Sequence, residues 1–308
     1  MTETRFKVGV VLPIAQEDGT AAPPSYGEIR AVALAAEAAG FDSAWVYDHL
    51  LFRSDGTTTG IHECWTILSA IAEATERVEL GTIVMCTSFR NPALLAKMAA
   101  TLDHLSGGRL ILGIGCGWHD PEYEAFGYPT DHKVGRFEES LTIIRDLIRT
   151  GRADLEGRWQ RATDAVLAPP ARHDLPILIA AKRPRMLELT ARHADAWNLA
   201  WFGHPNDKLT KGRADLLAAC ASVGRDPATL EQTIGIEVRY PDLLATPADP
   251  ASPASPLTGS AQDVAAGLLE HVELGARHLI VALDPTTPAA VERLAEAVRL
   301  ARGAVVSG

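Results

Sequence analysis

Glu79-Leu80-Gly81-Thr82-Ile83-Val84-Met85, then a helix-periodic stretch from about Asn91 to Leu105, then Leu110-Ile111-Leu112-Gly113-Ile114: the whole chain turns on this strand, helix, strand unit. Neither strand-like run alternates apolar with polar residues, the pattern of a parallel strand buried on both faces. Similar units lie on either side. Upstream, Lys7 to Leu12 leads to a helix opening at Ser25-Tyr26-Gly27-Glu28, which has capping-box form, and closing at Gly40. Ser43 to Tyr47 follows, then a polar loop and a helix from about His62 to Ala74. Downstream come a helix from about Gly135 to Thr150, Ile177 to Ala180 with Pro184 to His193, and Ala196 to Leu199 with about Asp207 to Val223. Thr233 to Arg239 with about Ala261 to Glu273, and His278 to Leu283 with Pro288 to Arg302, complete the series.

Eight strand–helix units in one alternation predict the α/β class and a closed (β/α)8 TIM barrel, with residues 1–308 forming a single domain. Two doubly wound halves are the alternative architecture. The length of 308 residues exceeds the ~250 of an ordinary barrel. The excess falls in a long loop after strand four, an irregular insertion from Gly151 to Pro176, and a proline-rich segment after strand seven, Tyr240 to Gly259. That last segment sits on the catalytic face of a barrel, so it reads either as a lid or as a surface insertion.

A hydrophobic fraction of 47% and a charged fraction of 22% describe an ordinary globular chain, not a disordered, collagenous or disulfide-knit one. With 29 Lys and Arg against 39 Asp and Glu, the net charge of -10 disfavours nucleic acid and anionic membrane as partners. No signal-peptide core and no run near the ~20 apolar residues of a membrane span is present. Cys64, Cys86, Cys116 and Cys220 show no CxxC spacing. A reduced, cytoplasmic protein acting on a small molecule is expected.

Barrel chemistry sits at the carboxyl ends of the strands. After strand two stands Asp48-His49, where a carboxylate can fix the tautomer of an imidazole able to move a proton near neutral pH; a loop cap beside a structural histidine is the other reading. After strand three, Cys86-Thr87-Ser88 is small enough for a flat ligand to approach, or is a plain turn. After strand four, Gly113-Ile114-Gly115-Cys116-Gly117-Trp118 fails the dinucleotide fingerprint, because Trp118 stands where a glycine is needed. Backbone at Gly115 and Cys116 could lie against a planar ring, or simply be tightly packed. After strand five, Ala180-Ala181-Lys182-Arg183-Pro184-Arg185 opens a helix with cations at its start, which is an anion site or a solvated basic patch. Trp118 and Trp197, with Phe52, Trp65, Tyr123, Phe126, Trp201 and Phe202, offer flat apolar surface for an aromatic cofactor or for the core.

Competing chemistries lack their residues. None of the ten histidines forms a His-x-His pair or an HExxH motif, so no metal site is expected. There is no GxSxG elbow. Glu237 on strand seven has no second acid at the strand-four end to make a glycosidase pair. A bound cofactor then has to supply the chemistry.

Several segments together resemble the bacterial luciferase-like oxidoreductases, the superfamily of flavin- or deazaflavin-dependent monooxygenases and reductases. They are Ala38 to His49, Thr75 to Thr82, Arg90 to Lys97, Ser106 to Trp118, Gly135 to Glu139, and Ala191 to Asn198, in order over about two thirds of the chain. The resemblance implies a barrel with an extra insertion, usually a homodimer, binding reduced FMN or coenzyme F420 at the carboxyl end of the strands. It implies that His49 is the active-site histidine beside the ring, that Cys86 and Thr87 form a strand-three bulge behind it, and that Ala180, Ala181, Lys182 and Arg183 cradle the phosphate. Relatives often have Gly-Gly where this chain has Ala180-Ala181, and some deazaflavin-dependent dehydrogenases have Glu where it has Trp118. The leading expectation is a monooxygenase using reduced FMN, supplied by a flavin reductase, and O2 on a small organic substrate. The alternatives are an F420-dependent hydride-transfer enzyme and a non-catalytic flavin-binding barrel.

Overall fold

Local signals start the helices where the chain places them. Ser25 accepts the Glu28 N–H while the Glu28 carboxylate accepts the Ser25 N–H at 2.8 Å. Asn91 accepts the Ala93 and Leu94 N–H groups at 3.0 and 3.1 Å, with Pro92 in the first turn. The computed structural model describes residues 6–16, 22–54, 56–244 and 255–307. Its first part comprises β1 (Lys7–Val11), α1 (Tyr26–Ala38), β2 (Ser43–Val46), β3 (Phe52–Ser54), β4 (Thr57–Thr59), α2 (Cys64–Ala74), β5 (Glu79–Thr82), β6 (Met85–Cys86), α3 (Pro92–Leu105) and β7 (Leu110–Gly115). Then come α4 (Asp120–Phe126), α5 (Lys133–Thr150), β8 (Arg152–Glu156), β9 (Arg161–Val166), β10 (Ile177–Ala180), α6 (Pro184–His193) and β11 (Ala196–Phe202). The last elements are α7 (Asp207–Val223), β12 (Glu231–Arg239), α8 (Ala261–Glu273), β13 (His278–Asp284) and α9 (Pro288–Ser307).

With β5 and β6 as two pieces of one strand, eight parallel strands run β1-β2-β5-β7-β10-β11-β12-β13 and return to β1. The pairing of Ile177 to Ile179 on β10 with Leu112 to Ile114 on β7 closes the ring, which removes the open doubly wound alternative. The chain is a TIM barrel.

Three segments differ from expectation. The polar loop after β2 contains the β3–β4 hairpin, pairing Phe52 with Thr59. The long loop after β7 contains α4, and α5 begins at Lys133. The insertion from Gly151 to Pro176 is not irregular: β8 and β9 form an antiparallel hairpin from Arg152–Val166 to Glu156–Arg161. Its inward residues are mostly small, with Ala153 and Ala162 buried, so the period-2 signal is faint in sequence. Of Tyr240 to Gly259, residues 245–254 lie outside the described residues. The far end returns to the rim, where the Leu257 N–H donates to the Glu237 carbonyl and the Arg239 N–H to the Leu257 carbonyl, both at 2.8 Å.

The barrel interior is packed with side chains: Val11, Trp45, Ile83, Ile111, Leu178, Ala196 and Ile280 form a cluster separate from the shell between strands and helices. Trp45 is fully buried. Its indole fits because the neighbouring strands carry glycine; a Cβ on Gly81 would lie 2.1 Å from the ring. The Trp45 Nε1–H donates to Ser43 Oγ at 2.7 Å, and Ser43 Oγ is 2.7 Å from His278 Nε2. With the floor filled in this way, a ligand has room only at the mouth. Gly81→Ala is expected to lower unfolding free energy by about 1–3 kcal/mol through overpacking. Urea denaturation checks this, and an unchanged midpoint would mean that Trp45 moves aside freely.

Candidate active site

The strand registers bring several expected site residues side by side. Cys86 pairs with Gly115, Ile179 with Ile114 and Ala180 with Asn198. The ends of β6, β7, β10 and β11 therefore form one rim, with Thr87, Cys116 and Ala181 one step further out.

Asp48 ties this rim to the end of β2. Its carboxylate is buried and accepts from Arg90 Nη1 at 2.6 Å, Arg90 Nη2 at 3.1 Å, the Cys86 N–H at 2.9 Å and the Cys64 thiol at 3.3 Å. Arg90 reaches outward as well, to Glu63 at 2.5 Å. Burial opposes the guanidinium charge, but contact with Asp48 outweighs it and raises the Arg90 pKa. The Cys64 thiol is pushed up by burial and by Asp48. Asp48, Glu63 and Cys64 also have the spacing of a metal-ligand group. Arg90 bonds to both of those carboxylates, so a cation already occupies the group's electrostatic centre.

His49 is not partnered by Asp48. Its Nδ1 lies 2.9 Å from Glu122 Oε1, while Glu122 Oε2 accepts the Leu50 N–H at 2.8 Å. Glu122 is 1% exposed, in the first turn of α4. A carboxylate against Nδ1 selects the Nδ1–H tautomer of the neutral ring and leaves a lone pair at Nε2. Nε2 has no hydrogen-bond partner among the described residues. The imidazole packs with Phe52 at 4.4 Å and Trp118 at 5.5 Å between ring centroids, with Tyr47 and His119 just beyond 6 Å. His119 is itself held by the Arg53 N–H at 3.1 Å. Sequence reasoning missed Glu122; the available sign was His119-Asp120-Pro121-Glu122, a proline-started helix with acids in its first turn.

Behind this group the chain's own atoms fill the space that the glycines leave. A Cβ on Gly115 would meet Val84 at 2.7 Å, and one on Gly117 would meet the Tyr123 hydroxyl at 1.9 Å. Tight packing thus accounts for the glycine run. Cys86 Sγ lies 2.9 Å from the Tyr123 hydroxyl, which donates to the Cys116 carbonyl at 2.8 Å. Burial pushes the Cys86 thiol up to about 12, so it stays protonated and structural. Thr87 is buried, its hydroxyl donating to the Gly115 carbonyl at 3.4 Å.

The turn after β10 is cationic and open. Lys182 and Arg183 are exposed and have no carboxylate partner among the described residues, while Arg185 is bound to Glu138. Arg183 occupies the cap position of α6 with no side-chain bond to the first-turn N–H groups, so these remain available to an anion. Burial raises the Cys116 thiol, with the Lys133 and Lys182 charges opposing the rise. Trp197 is a correction to the expected cofactor wall. It is fully buried, and its Nε1–H donates to the Ala181 carbonyl at 2.8 Å, so it braces the turn from behind. Trp65 and Tyr123 are likewise core; Trp118, at 68% exposure, is open to the mouth. Among the described residues, no helix is long and apolar enough to cross a membrane.

Residues 6–242 match the family of luciferase-like monooxygenases. The chain is 31% identical over 241 residues to pyrimidine monooxygenase RutA of Rhizobium rhizogenes, covering 72% of this chain and 64% of that protein. It is 35% identical over 172 residues to F420-dependent glucose-6-phosphate dehydrogenase of Amycolatopsis mediterranei, covering 54% of this chain and 50% of the relative. The chain therefore spans between half and two thirds of the length of these curated relatives. An F420-dependent secondary alcohol dehydrogenase has the same fold, with a TM-score of 0.79 at 18% identity, covering 96% of this chain and 99% of that one.

Removing Arg90 strands a buried carboxylate, so Arg90→Met should cost about 3–5 kcal/mol of stability. Glu63 is 42% exposed at its side chain but also caps α2 by accepting the Trp65 and Thr66 N–H groups, so Glu63→Ala should cost about 1–2 kcal/mol, less than the Arg90 change. Urea melts of the two variants check the contrast; equal losses would show that the Asp48–Arg90 contact is not the anchor.

Proposed function

The chain belongs to the luciferase-like monooxygenase family, and on that premise we propose that it is an oxidoreductase whose barrel mouth holds reduced FMN against a small organic substrate. The observation that carries the reading is His49, seated among aromatic rings, oriented by Glu122 and with no Nε2 partner among the described residues. The residues fit such a cofactor at both ends: apolar rings to receive a planar system, and, at the start of α6, cations without a carboxylate partner among the described residues to receive a phosphate. Bound there, a reduced flavin supplies O2-dependent oxidation, and a reduced deazaflavin supplies hydride.

Each residue then has a task. Neutral His49, with Nδ1–H given to Glu122, accepts a hydrogen bond or proton at Nε2; protonated, it donates there. Asp48 is a positioning residue, fixing the loop that carries His49 through Arg90 and the Cys86 N–H. Trp118 and Phe52 keep water from the imidazole. Lys182 and Arg183 hold the phosphate, with Ala180 and Ala181 as backbone supports braced by Trp197. Cys86, Thr87, Gly115 and Cys116 shape the surface behind the ring. Reduced FMN arrives from a separate flavin reductase, and the working unit is a cytoplasmic homodimer with no nucleic acid or membrane partner.

A second reading, coenzyme F420 with hydride transfer, is favoured by the 35% identity to an F420-dependent relative. Trp118, in place of the glutamate some deazaflavin-dependent dehydrogenases carry, argues against that particular proton-transfer chemistry. Anaerobic titration with reduced FMN and with reduced F420 separates the two readings; tight binding of F420 alone contradicts the first. Binding without turnover by any substrate would leave a non-catalytic carrier. Lys182→Ala with Arg183→Ala should weaken cofactor binding about tenfold or more, and more at low salt, where charge is least screened. His49→Ala should lose roughly 100-fold or more in turnover with little change in affinity; unchanged turnover would make it structural.

A further inference from the structure

Glu237, near the carboxyl end of β12, is an acid to which the reading above gives no role. The odd-numbered residues of β12 face the barrel interior. A Cβ on Gly235 would meet Trp201, which packs on the interior cluster, whereas Ile234, Ile236 and Val238 belong to the outer shell. Glu237 is in register with Ala282, another residue packed on the interior cluster, so its side chain also points inward, one layer above Gly235. There the carboxylate accepts no hydrogen bond from any described residue. Its neighbours are engaged elsewhere: Arg239 Nε donates to Asp284 at 2.6 Å, and the Lys208 ammonium lies 5.2 Å over the Phe202 ring. Burial raises the Glu237 carboxyl above the usual range, with Asp284 adding to the rise and Arg239 and Lys208 opposing it. The backbone is clamped at the same point, because the Leu257 N–H donates to the Glu237 carbonyl at 2.8 Å. A partly exposed carboxylate on a clamped strand end, with no donor among the described residues, is free to exchange water for a donor carried by a ligand.

We propose that Glu237 is the substrate-side anchor of the mouth, accepting a hydrogen bond from a hydroxyl or ammonium group and so selecting donor-bearing organic substrates over purely apolar ones. This rests on the reading that cofactor and substrate share the mouth, to which His49 after β2 and Glu237 on β12 both contribute a polar group. The preference comes from the carboxylate itself, so it holds in the cofactor-free chain too.

Benzylamine, benzyl alcohol and toluene, matched in shape, are the probes. Affinities are measured by tryptophan fluorescence for the full chain, alone and with reduced FMN under anaerobic conditions. The wild type should bind benzylamine and benzyl alcohol at least about tenfold more tightly than toluene. Glu237→Gln should lose about tenfold or more for benzylamine and keep most of its benzyl alcohol affinity, while Glu237→Leu should bind all three alike. Reduced FMN should bind Glu237→Gln as it binds the wild type. Equal wild-type affinity for benzylamine and toluene would overturn the proposal without any variant. So would unchanged benzylamine affinity in Glu237→Gln. Failure of FMN and F420 alike to bind the wild type would overturn the cofactor reading instead, leaving the probe comparison on the chain alone to decide the role of Glu237.

Discussion

The buried carboxylate of Asp48 is the interaction on which the mouth depends. A charge at 1% side-chain exposure is tolerable only when every lone pair is used. Asp48 uses its own on a bidentate guanidinium, a backbone N–H and a thiol. Those donors come from three separate places: Arg90 before α3, Cys86 on β6 and Cys64 at the start of α2. Satisfying one carboxylate therefore fixes how the ends of the second and third barrel strands sit against each other. His49 is the next residue in the chain and inherits its position from that arrangement.

Orientation is a separate task with a separate residue. Glu122 approaches from α4, beyond the fourth barrel strand, and meets both the His49 ring and the Leu50 N–H. Two acids thus act on neighbouring residues, one setting where the loop lies and the other setting which imidazole nitrogen is free. Trp197 divides labour in a similar way on the opposite rim: from the core it holds the Ala181 carbonyl, so that the cations after it face solvent.

What could be read in the chain was what local chemistry decides. The eight strands, the Ser25 capping box, the Asn91-Pro92 helix start and the Pro184 start depend on residues within a few positions of one another, and the structure has them. The cluster of candidate residues at the strand ends was also legible, because barrel topology alone brings those ends together. Partner choice was not. Asp48 adjoins His49 in sequence yet bonds to Arg90, 42 positions away, and His49 bonds to Glu122, 73 positions away. Adjacent residues leaving a strand end diverge, so proximity in sequence misassigned the pair. Gly115 at the end of β7, Gly117 just beyond it and the indole of Trp197 were equally ambiguous, since a residue that makes room for a ligand and one that makes room for Val84, Tyr123 or a carbonyl look alike in one dimension.

The central claim is spatial: one planar, phosphate-bearing cofactor lies across the mouth between the His49 loop and the turn before α6. A crystal structure of the complex with reduced cofactor, FMN or F420, grown anaerobically, tests it most directly. The account predicts the ring beside His49 Nε2 and Trp118, and the phosphate at Lys182, Arg183 and the first N–H groups of α6. Density for the ring away from His49, for example in the cavity of about 360 Å³ beside His132, Trp159 and Arg185, would contradict it.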